Sequence, residues 1–218
     1  MFTYPPSTIV NRVVPKTQIL ARAQPSARVK RLLTQQIQQI RWHAKLSPET
    51  IKIPATPQVP EIQIFHLTLK GLEIHPDLLG LLDKTIPQPM FMVIETADHQ
   101  VAHSAAYKRP SGADAAQWVV GARFTSTFAS QPSSFPPLPI ALDLGLLYTA
   151  LFQPLLPLIT RKTEALPALI ERCNQYQSRD HQIDQLTAKV NREKQFNRRV
   201  AFNRELNTLK AELASLTS

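Results

Sequence analysis

Basic and amide side chains that could bind an anion cluster near the C-terminal end of the sequence. Within eight residues the chain places Arg192, Lys194, Asn197, Arg198 and Arg199. The guanidinium of arginine donates paired hydrogen bonds to phosphate or carboxylate oxygens, so this set suits nucleic acid and an acidic protein equally. Two alternatives stay open, namely a polar contact that fixes the register of helix packing and a plain solvated face.

The apolar residues on either side of this segment predict a helix that changes its buried face. A first stripe precedes the segment and a second seam, spaced as in a coiled coil or an αα-hairpin, follows it: Ile183, Leu186 and Val190, then Phe202, Leu206, Leu209, Leu213 and Leu216. At about 100° per residue the two differ by about 130°. Lys194, Asn197 and Arg198 fall between them and are expected to be structural or interfacial, whereas Arg192 and Arg199 are expected to make outward contacts.

A second basic pair, Lys108 and Arg109, precedes a Pro-Ser-Gly turn. At the end of a predicted strand this pair could hold a phosphate, although a solvated turn is the simpler explanation. Together with Glu61 and Glu95 it also defines an alternative hypothesis, an enzyme whose unrecognised site is built on the strand ends.

Known catalytic motifs do not match the sequence. It contains neither the Gly-x-x-x-x-Gly-Lys of a phosphate-binding loop nor the Gly-x-Gly-x-x-Gly of a dinucleotide fold. Asp83 with Glu95 comes nearest to a metal-dependent nuclease, but Thr96 and Ala97 follow Glu95 where a lysine is needed. His99 and His103 are spaced by four residues on a predicted turn and strand, so we expect surface residues rather than metal ligands. We therefore predict no catalytic residue, no metal and no cofactor.

The charge of the chain is unevenly distributed. The net charge of +9 divides into +8 over residues 1–52, −3 over residues 53–160 and +4 over residues 161–218. Basic ends with an acidic middle favour either a nucleic-acid surface or docking of the ends on the middle. A single cysteine, Cys173, excludes an intramolecular disulfide, and we find no pattern of a signal peptide or membrane span. We expect a cytoplasmic protein.

Hydrophobic periodicity predicts an α+β fold in which an antiparallel sheet of about four strands packs against helices. Strands are predicted over residues 61–70, 90–96, 101–108 and 117–125, and helices over residues 26–44, 76–82, 140–151 and from 161 to the C-terminus. The last helix has coiled-coil-like character and no proline after Pro167. We therefore predict two domains, a globular one over residues 1–159 and a long C-terminal helix over residues 160–218.

Several segments, taken in order over nearly the whole chain, resemble a bacterial family of unknown function. They are Tyr4-Pro5, NRVVPK at 11–16, WHAKLSPETI at 42–51, EIQIF at 61–65, AAYKR at 105–109, LPIAL at 138–142 and EKQFNRRVAFN at 193–203. Arg199 and Phe202 stand where lysine and leucine are more usual in that family.

Members of that family often lie beside genes for helicases and DNA methyltransferases of restriction or phage-defence type. The resemblance thus implies an accessory role in such a system. Together with the basic C-terminal segment and the basic ends of the chain, it leads us to expect a non-enzymatic subunit that uses its long helix to bind a helicase, a methyltransferase or a second copy of itself, and whose basic ends can contact DNA. It carries no established catalytic residues. A homo-oligomer formed through the C-terminal helix is a further alternative.

Overall fold

The fold is organised around a seven-stranded sheet. The computed structural model describes residues 2–114, 117–132, 134–162 and 164–217. The strands are β1 (Ile9–Val13), β2 (Ile37–Leu46), β3 (Ile62–Leu69), β4 (Met90–Glu95), β5 (Gln100–Pro110), β6 (Trp118–Thr125) and β7 (Ala129–Ser130).

Seven α-helices accompany the strands in the described residues. They are α1 (Lys16–Ala23), α2 (Ala27–Gln36), α3 (Pro48–Ile51), α4 (Pro76–Thr85), α5 (Leu144–Phe152), α6 (Leu166–Arg192) and α7 (Phe196–Thr217). The chain forms two compact units, one ending at Leu155 and the other beginning at Leu156. No helix in the described ranges is both long enough and apolar enough to cross a membrane.

The sheet is antiparallel except at its centre. Its strands run in the order β1-β2-β3-β4-β5-β6, and β7 pairs with β5. Only β3 and β4 are parallel, because α4 carries the chain back across the sheet between them. The predicted α+β class and the meander of β4, β5 and β6 are confirmed. The sheet has more strands than the four expected, since β1, β2 and β7 were not among them.

One face of the sheet carries a core that the helices α1, α2 and α4 cover. α1, α2 and α4 contribute Ile19, Leu33 and a run of leucines to a buried cluster with strand residues such as Leu67 and Met92. β3 is buried on both faces, which explains why its apolar residues lose strict alternation between Ile64 and Phe65. A register shift in β2 opposite these two residues accommodates the change.

The opposite face is filled by aromatic rings. Phe91, Tyr148 and Phe152 contact one another edge to face, with centroids 5.0–5.7 Å apart. Tyr107 and Phe124 complete the cluster. Asp143 begins α5 by accepting a hydrogen bond from the Leu146 amide, so the polar residue that interrupts this apolar segment is the N-cap of its helix.

The predicted helix over residues 26–44 is wrong in its second half. It begins as expected, with Ser26 as N-cap, but it ends at Gln36 and the chain continues as β2. Leu33, Ile37 and Ile40 fit a helical stripe, yet Ile40, Ala44 and Leu46 also fit the alternation of a strand and are buried. Pairing of β2 on both sides, with β1 and β3, decides in favour of the strand.

The C-terminal region is helical, and α7 is a long C-terminal helix, but the helix does not run unbroken from residue 161. α6 ends at Arg192, Glu193 is extended, and α7 begins at Phe196. The two helices form an antiparallel αα-hairpin, since Arg179 on α6 pairs with Glu212 near the end of α7 at 2.9 Å. Because the chain reverses, the apolar stripe of α6 and the apolar seam of α7 can face each other, although they would point in different directions on one continuous helix.

A buried ion pair fastens the open end of this hairpin. Arg172 donates to both carboxylate oxygens of Glu164, at 2.8 and 2.6 Å, and to the backbone carbonyls of Ile159 and Leu216, each at 2.7 Å. The interaction with Arg172 lowers the pKa of Glu164 to about 2. One guanidinium thus joins the chain before α6 to the end of α7.

We expect Glu164→Gln to lower the melting temperature at about pH 7, at a cost of about 1.5–3 kcal/mol for hydrogen bonds to a charged group. A carboxyl group whose pKa is lowered in the folded state contributes stability above its ordinary pKa of 4.5 and loses it as the pH falls toward about 2. The difference between variant and wild type should therefore shrink at about pH 3. Thermal unfolding followed by circular dichroism measures it, with exposed Glu171→Gln as the control. A difference that does not change with pH would contradict the assignment.

Candidate functional site

The basic segment found in the sequence forms the tip of the helical hairpin. Arg192 ends α6, Lys194 lies in the connection, and Asn197, Arg198 and Arg199 occupy the first turn of α7. All five residues are exposed. The connection is short, and the Glu193 carboxylate stabilises it by accepting a hydrogen bond from the Gln195 amide at 2.8 Å.

This exposure excludes one of the three interpretations of the segment, the polar contact that fixes the register of helix packing. A polar contact that fixes helix register requires Lys194, Asn197 and Arg198 to be buried among apolar side chains. Their exposure shows that this alternative is wrong, because they lie where the chain reverses and not between the packed helices. A surface contact or a solvated face remains.

The tip is positively charged and its charges are unpaired. Lys189 on the last turn of α6 extends the cluster to five basic residues, and Glu193 is the single acid between Lys189 and Arg199. Within the described ranges, none of these five cations takes part in an ion pair, whereas Arg172 and Arg179 further along the hairpin do. The guanidinium and ammonium groups of the tip are therefore free to bind an external anion.

Exposed apolar side chains lie among these cations, and the sequence analysis missed them. Phe196 is 68% exposed and Val200 is 51% exposed. The sequence did contain a signal for their exposure, because neither residue belongs to the apolar stripe before the segment or to the seam after it. An aromatic ring among basic side chains can stack on a nucleobase or contact an apolar patch on a protein. We define the hairpin tip as residues 189–200.

Lys108 does not lie at the surface. Its side chain is fully buried, and its Nζ lies 3.1 Å from Asp83 Oδ1. The same nitrogen donates to the backbone carbonyls of Asp83, Ile86 and Gln88, at 3.2, 2.5 and 3.2 Å. The expectation of a basic pair on a surface turn is thus wrong for Lys108. Arg109, the next residue in the strand, is exposed and donates to the Pro110 carbonyl.

Asp83 is the anion of a buried charge triad. Besides Lys108 it pairs with Arg123 from β6, whose guanidinium also donates to Ser104 Oγ at 3.0 Å. Burial lowers the pKa of Lys108 to about 7 and that of Arg123 to about 10. The carboxylate and the backbone carbonyls oppose this effect by stabilising the charged forms. The triad joins α4, β5 and β6.

The acidic residues proposed for an enzyme site do not converge. Glu61 precedes β3 and pairs with Lys45 at 2.7 Å, whereas Glu95 ends β4 and contacts His99 at 2.9 Å. Thr68 is the register partner of Glu95, so the two acids lie about 20 Å apart along adjacent parallel strands. Lys108 and Arg109 have their own separate partners.

Three histidines of the sheet, His43, His66 and His103, lie in half-buried positions. His43 stacks on His66 with ring centroids 4.8 Å apart, and burial lowers the pKa of His66 and His103 to about 4. His103 is half-buried and lines an apolar cavity of about 360 Å³, so the expectation of a surface residue holds only for its exposed neighbour His99. Among the described residues no cluster of three or more His, Cys, Asp or Glu side chains could hold a metal.

We expect Asp83→Asn to destabilise the protein by about 3–5 kcal/mol, because it leaves the buried ammonium of Lys108 and the half-buried guanidinium of Arg123 without an anion. The exposed Asp77→Asn on the same helix removes the same charge and should cost less than about 1 kcal/mol. Urea unfolding of both variants measures the two free energies. Equal effects at the two positions would show that the buried triad does not stabilise the fold.

Comparison with known proteins places the chain in one family. No curated protein and no solved structure was found to be similar to it. A family model described as "Domain of unknown function (DUF4391)" matches residues 2–213, which confirms the resemblance to a family of unknown function. Because the match spans both compact units, the chain belongs to the DUF4391 family.

Proposed function

We propose that the protein is a non-enzymatic accessory subunit of a bacterial defence or DNA-processing system and that it binds DNA through the hairpin tip. The observation that carries this proposal is the cluster of five exposed cations without ion-pair partners in the described ranges, with Phe196 exposed among them. The assignment to a defence or DNA-processing system rests on the resemblance of the sequence segments to the family. We also propose that the protein is cytoplasmic.

Duplex or single-stranded DNA is the partner that the exposed cations and the exposed Phe196 ring suit best when they are taken together. Each phosphate contact made by a lysine or arginine releases counterions, so binding gains affinity without sequence recognition. Five exposed cations at the turn of the helical hairpin can contact several phosphates, and the Phe196 ring offers a surface on which an unpaired base can stack. An acidic protein offers carboxylates to the same cations but has no equivalent need for the aromatic ring.

The charge of the tip is testable with a matched pair of variants. Arg198→Ala with Arg199→Ala removes two cations of the tip, and Lys30→Ala with Arg31→Ala removes two exposed cations of α2. We expect the tip variant to lower affinity for a DNA of about 20 nucleotides by about 10–100-fold and to reduce the dependence of log K on log salt by about two. Fluorescence anisotropy between about 50 and 200 mM salt measures both quantities.

The control variant should retain wild-type affinity within about threefold and nearly the full salt dependence. Phe196→Ala should weaken binding of single-stranded DNA more than binding of duplex, because only unpaired bases can stack on the ring. If the tip and α2 variants lose affinity equally, net charge rather than the hairpin tip determines binding. If wild-type protein binds neither form of DNA, the proposed function is wrong.

The proposal includes a protein partner, a helicase or DNA methyltransferase subunit. An accessory subunit that binds DNA without modifying it needs a second, catalytic protein that acts on the DNA. We expect a pull-down of the tagged protein from its native host, followed by mass spectrometry, to recover such a subunit after nuclease treatment. Recovery that disappears with nuclease would indicate that DNA alone bridges the two proteins, and this would contradict a direct contact.

A homo-oligomer formed through the seam of α7 is not supported by a specific observation. Leu206 is buried and the remaining seam residues are half-buried, and α7 packs against α6 of the same chain. The seam is therefore the least exposed face of α7.

A further inference from the structure

A cleft of about 580 Å³ opens on the sheet face that carries α1 and α4. α1 and the end of β1 form one wall, and the chain that follows α4 forms the other. The floor is apolar and partly aromatic, with Ile19, Trp42 and Phe65, and Arg12 and Arg22 also line the cleft. This volume is in the range of small-molecule sites in proteins.

Two buried polar atoms of the lining residues have no hydrogen-bond partner in the described ranges. Gln63 is only 5% exposed, and its Oε1 is unpaired. Its Nε2 donates to Glu61 Oε1 at 2.6 Å, which fixes the amide so that the oxygen is the free acceptor. The indole Nε1 of Trp42, a donor only, is also unpaired. Buried polar groups almost always have partners, so this acceptor and this donor beside one cleft are candidates for contact with a ligand.

The charges around the cleft favour an anionic ligand. Arg12 and Arg22 are exposed, and in the described part of the chain neither takes part in an ion pair. The acid of the lining, Glu61, is neutralised by Lys45 at 2.7 Å. A phosphate at the two guanidinium groups would therefore meet little opposing negative charge.

We propose that the cleft binds a nucleotide. A nucleobase is a planar ring whose edge carries hydrogen-bond donors and acceptors, the kinds of partner that Gln63 Oε1 and Trp42 Nε1 lack. Both atoms are covered, so contact requires a small rotation of the amide or the indole into the open cleft. Trp42 and Phe65 supply ring surface for the base, and Arg12 and Arg22 bind the phosphate.

Titration of the full-length protein with AMP, GMP, CMP and UMP, measured by calorimetry, tests this inference. We expect saturable binding of at least one nucleotide with a Kd on the order of 10–100 μM. The corresponding nucleoside and inorganic phosphate, titrated separately, should each bind at least about tenfold more weakly, because each retains only one part of the recognition. Phosphate that binds as tightly as the nucleotide would show a simple anion site and overturn the proposal.

Variants of exposed residues keep the test independent of folding. Arg12→Ala with Arg22→Ala should weaken binding at least about tenfold, whereas Lys30→Ala with Arg31→Ala should leave it unchanged within about twofold. Trp42→Phe keeps a ring but removes the donor, and it should weaken binding severalfold while the melting temperature remains near that of wild type.

The hairpin-tip variant Arg198→Ala with Arg199→Ala separates this inference from the proposed DNA binding. It should bind the nucleotide with wild-type affinity. Failure of all four nucleotides to bind, or wild-type affinity in the Arg12 and Arg22 variant, would overturn the nucleotide site without affecting the DNA proposal.

Discussion

The buried triad of Lys108, Asp83 and Arg123 is the interaction on which the first compact unit depends. Lys108 Nζ binds Asp83 and the carbonyls of Ile86 and Gln88, so a single ammonium terminates α4 and holds the chain that leaves it. The Lys108 amide, on the other side of the same strand, donates to Tyr148 Oη at 3.1 Å. One residue of β5 therefore links the helical layer on one face of the sheet to the aromatic layer on the other. Replacement of this side chain by an apolar one would leave Asp83 with one cation and the carbonyls of Asp83, Ile86 and Gln88 without their donor.

The triad also determines the shape of the proposed nucleotide cleft. Ile86 and Gln88, whose carbonyls Lys108 holds, both line that cleft. The wall that they form is thus fixed from behind by a buried charge and does not depend on a bound ligand. On the opposite wall α1 contributes Ile19 to the core, so it too is anchored by packing. A cleft with two anchored walls needs only side-chain rotations at its floor to receive a ligand, which limits the entropy lost on binding.

Much of the fold follows from the sequence, and the failures have identifiable physical causes. β3 to β6, α4 and α5 have strong local patterns, with turns or prolines between them, and the predictions there are confirmed. β2 was missed because Ile40 and Ala44, four residues apart, fit both the helical and the strand period, and only pairing with β1 and β3 decides between them. The burial of Lys108 could not be read from its own segment, since its partner Asp83 lies 25 residues away and on a helix. The convergence of Gln63, Trp42 and Arg12 likewise depends on strand register that no local pattern contains.

The hairpin tip shows where local sequence reasoning reaches its limit. No glycine or proline lies after Pro167, so no helix breaker announces the reversal at Glu193. At about 100° per residue, the apolar stripes before and after the segment point in different directions. This difference fits a continuous helix that changes its packing partner, and it fits equally well a chain that reverses direction. Packing of α6 on α7 decides for reversal and pushes the polar segment into solvent. It also brings cations from both helices to one end, within about one Debye length of each other and with Glu193 as the only acid of the tip. The folded hairpin therefore carries an electrostatic repulsion that an unfolded chain would avoid, and a bound polyanion relieves it.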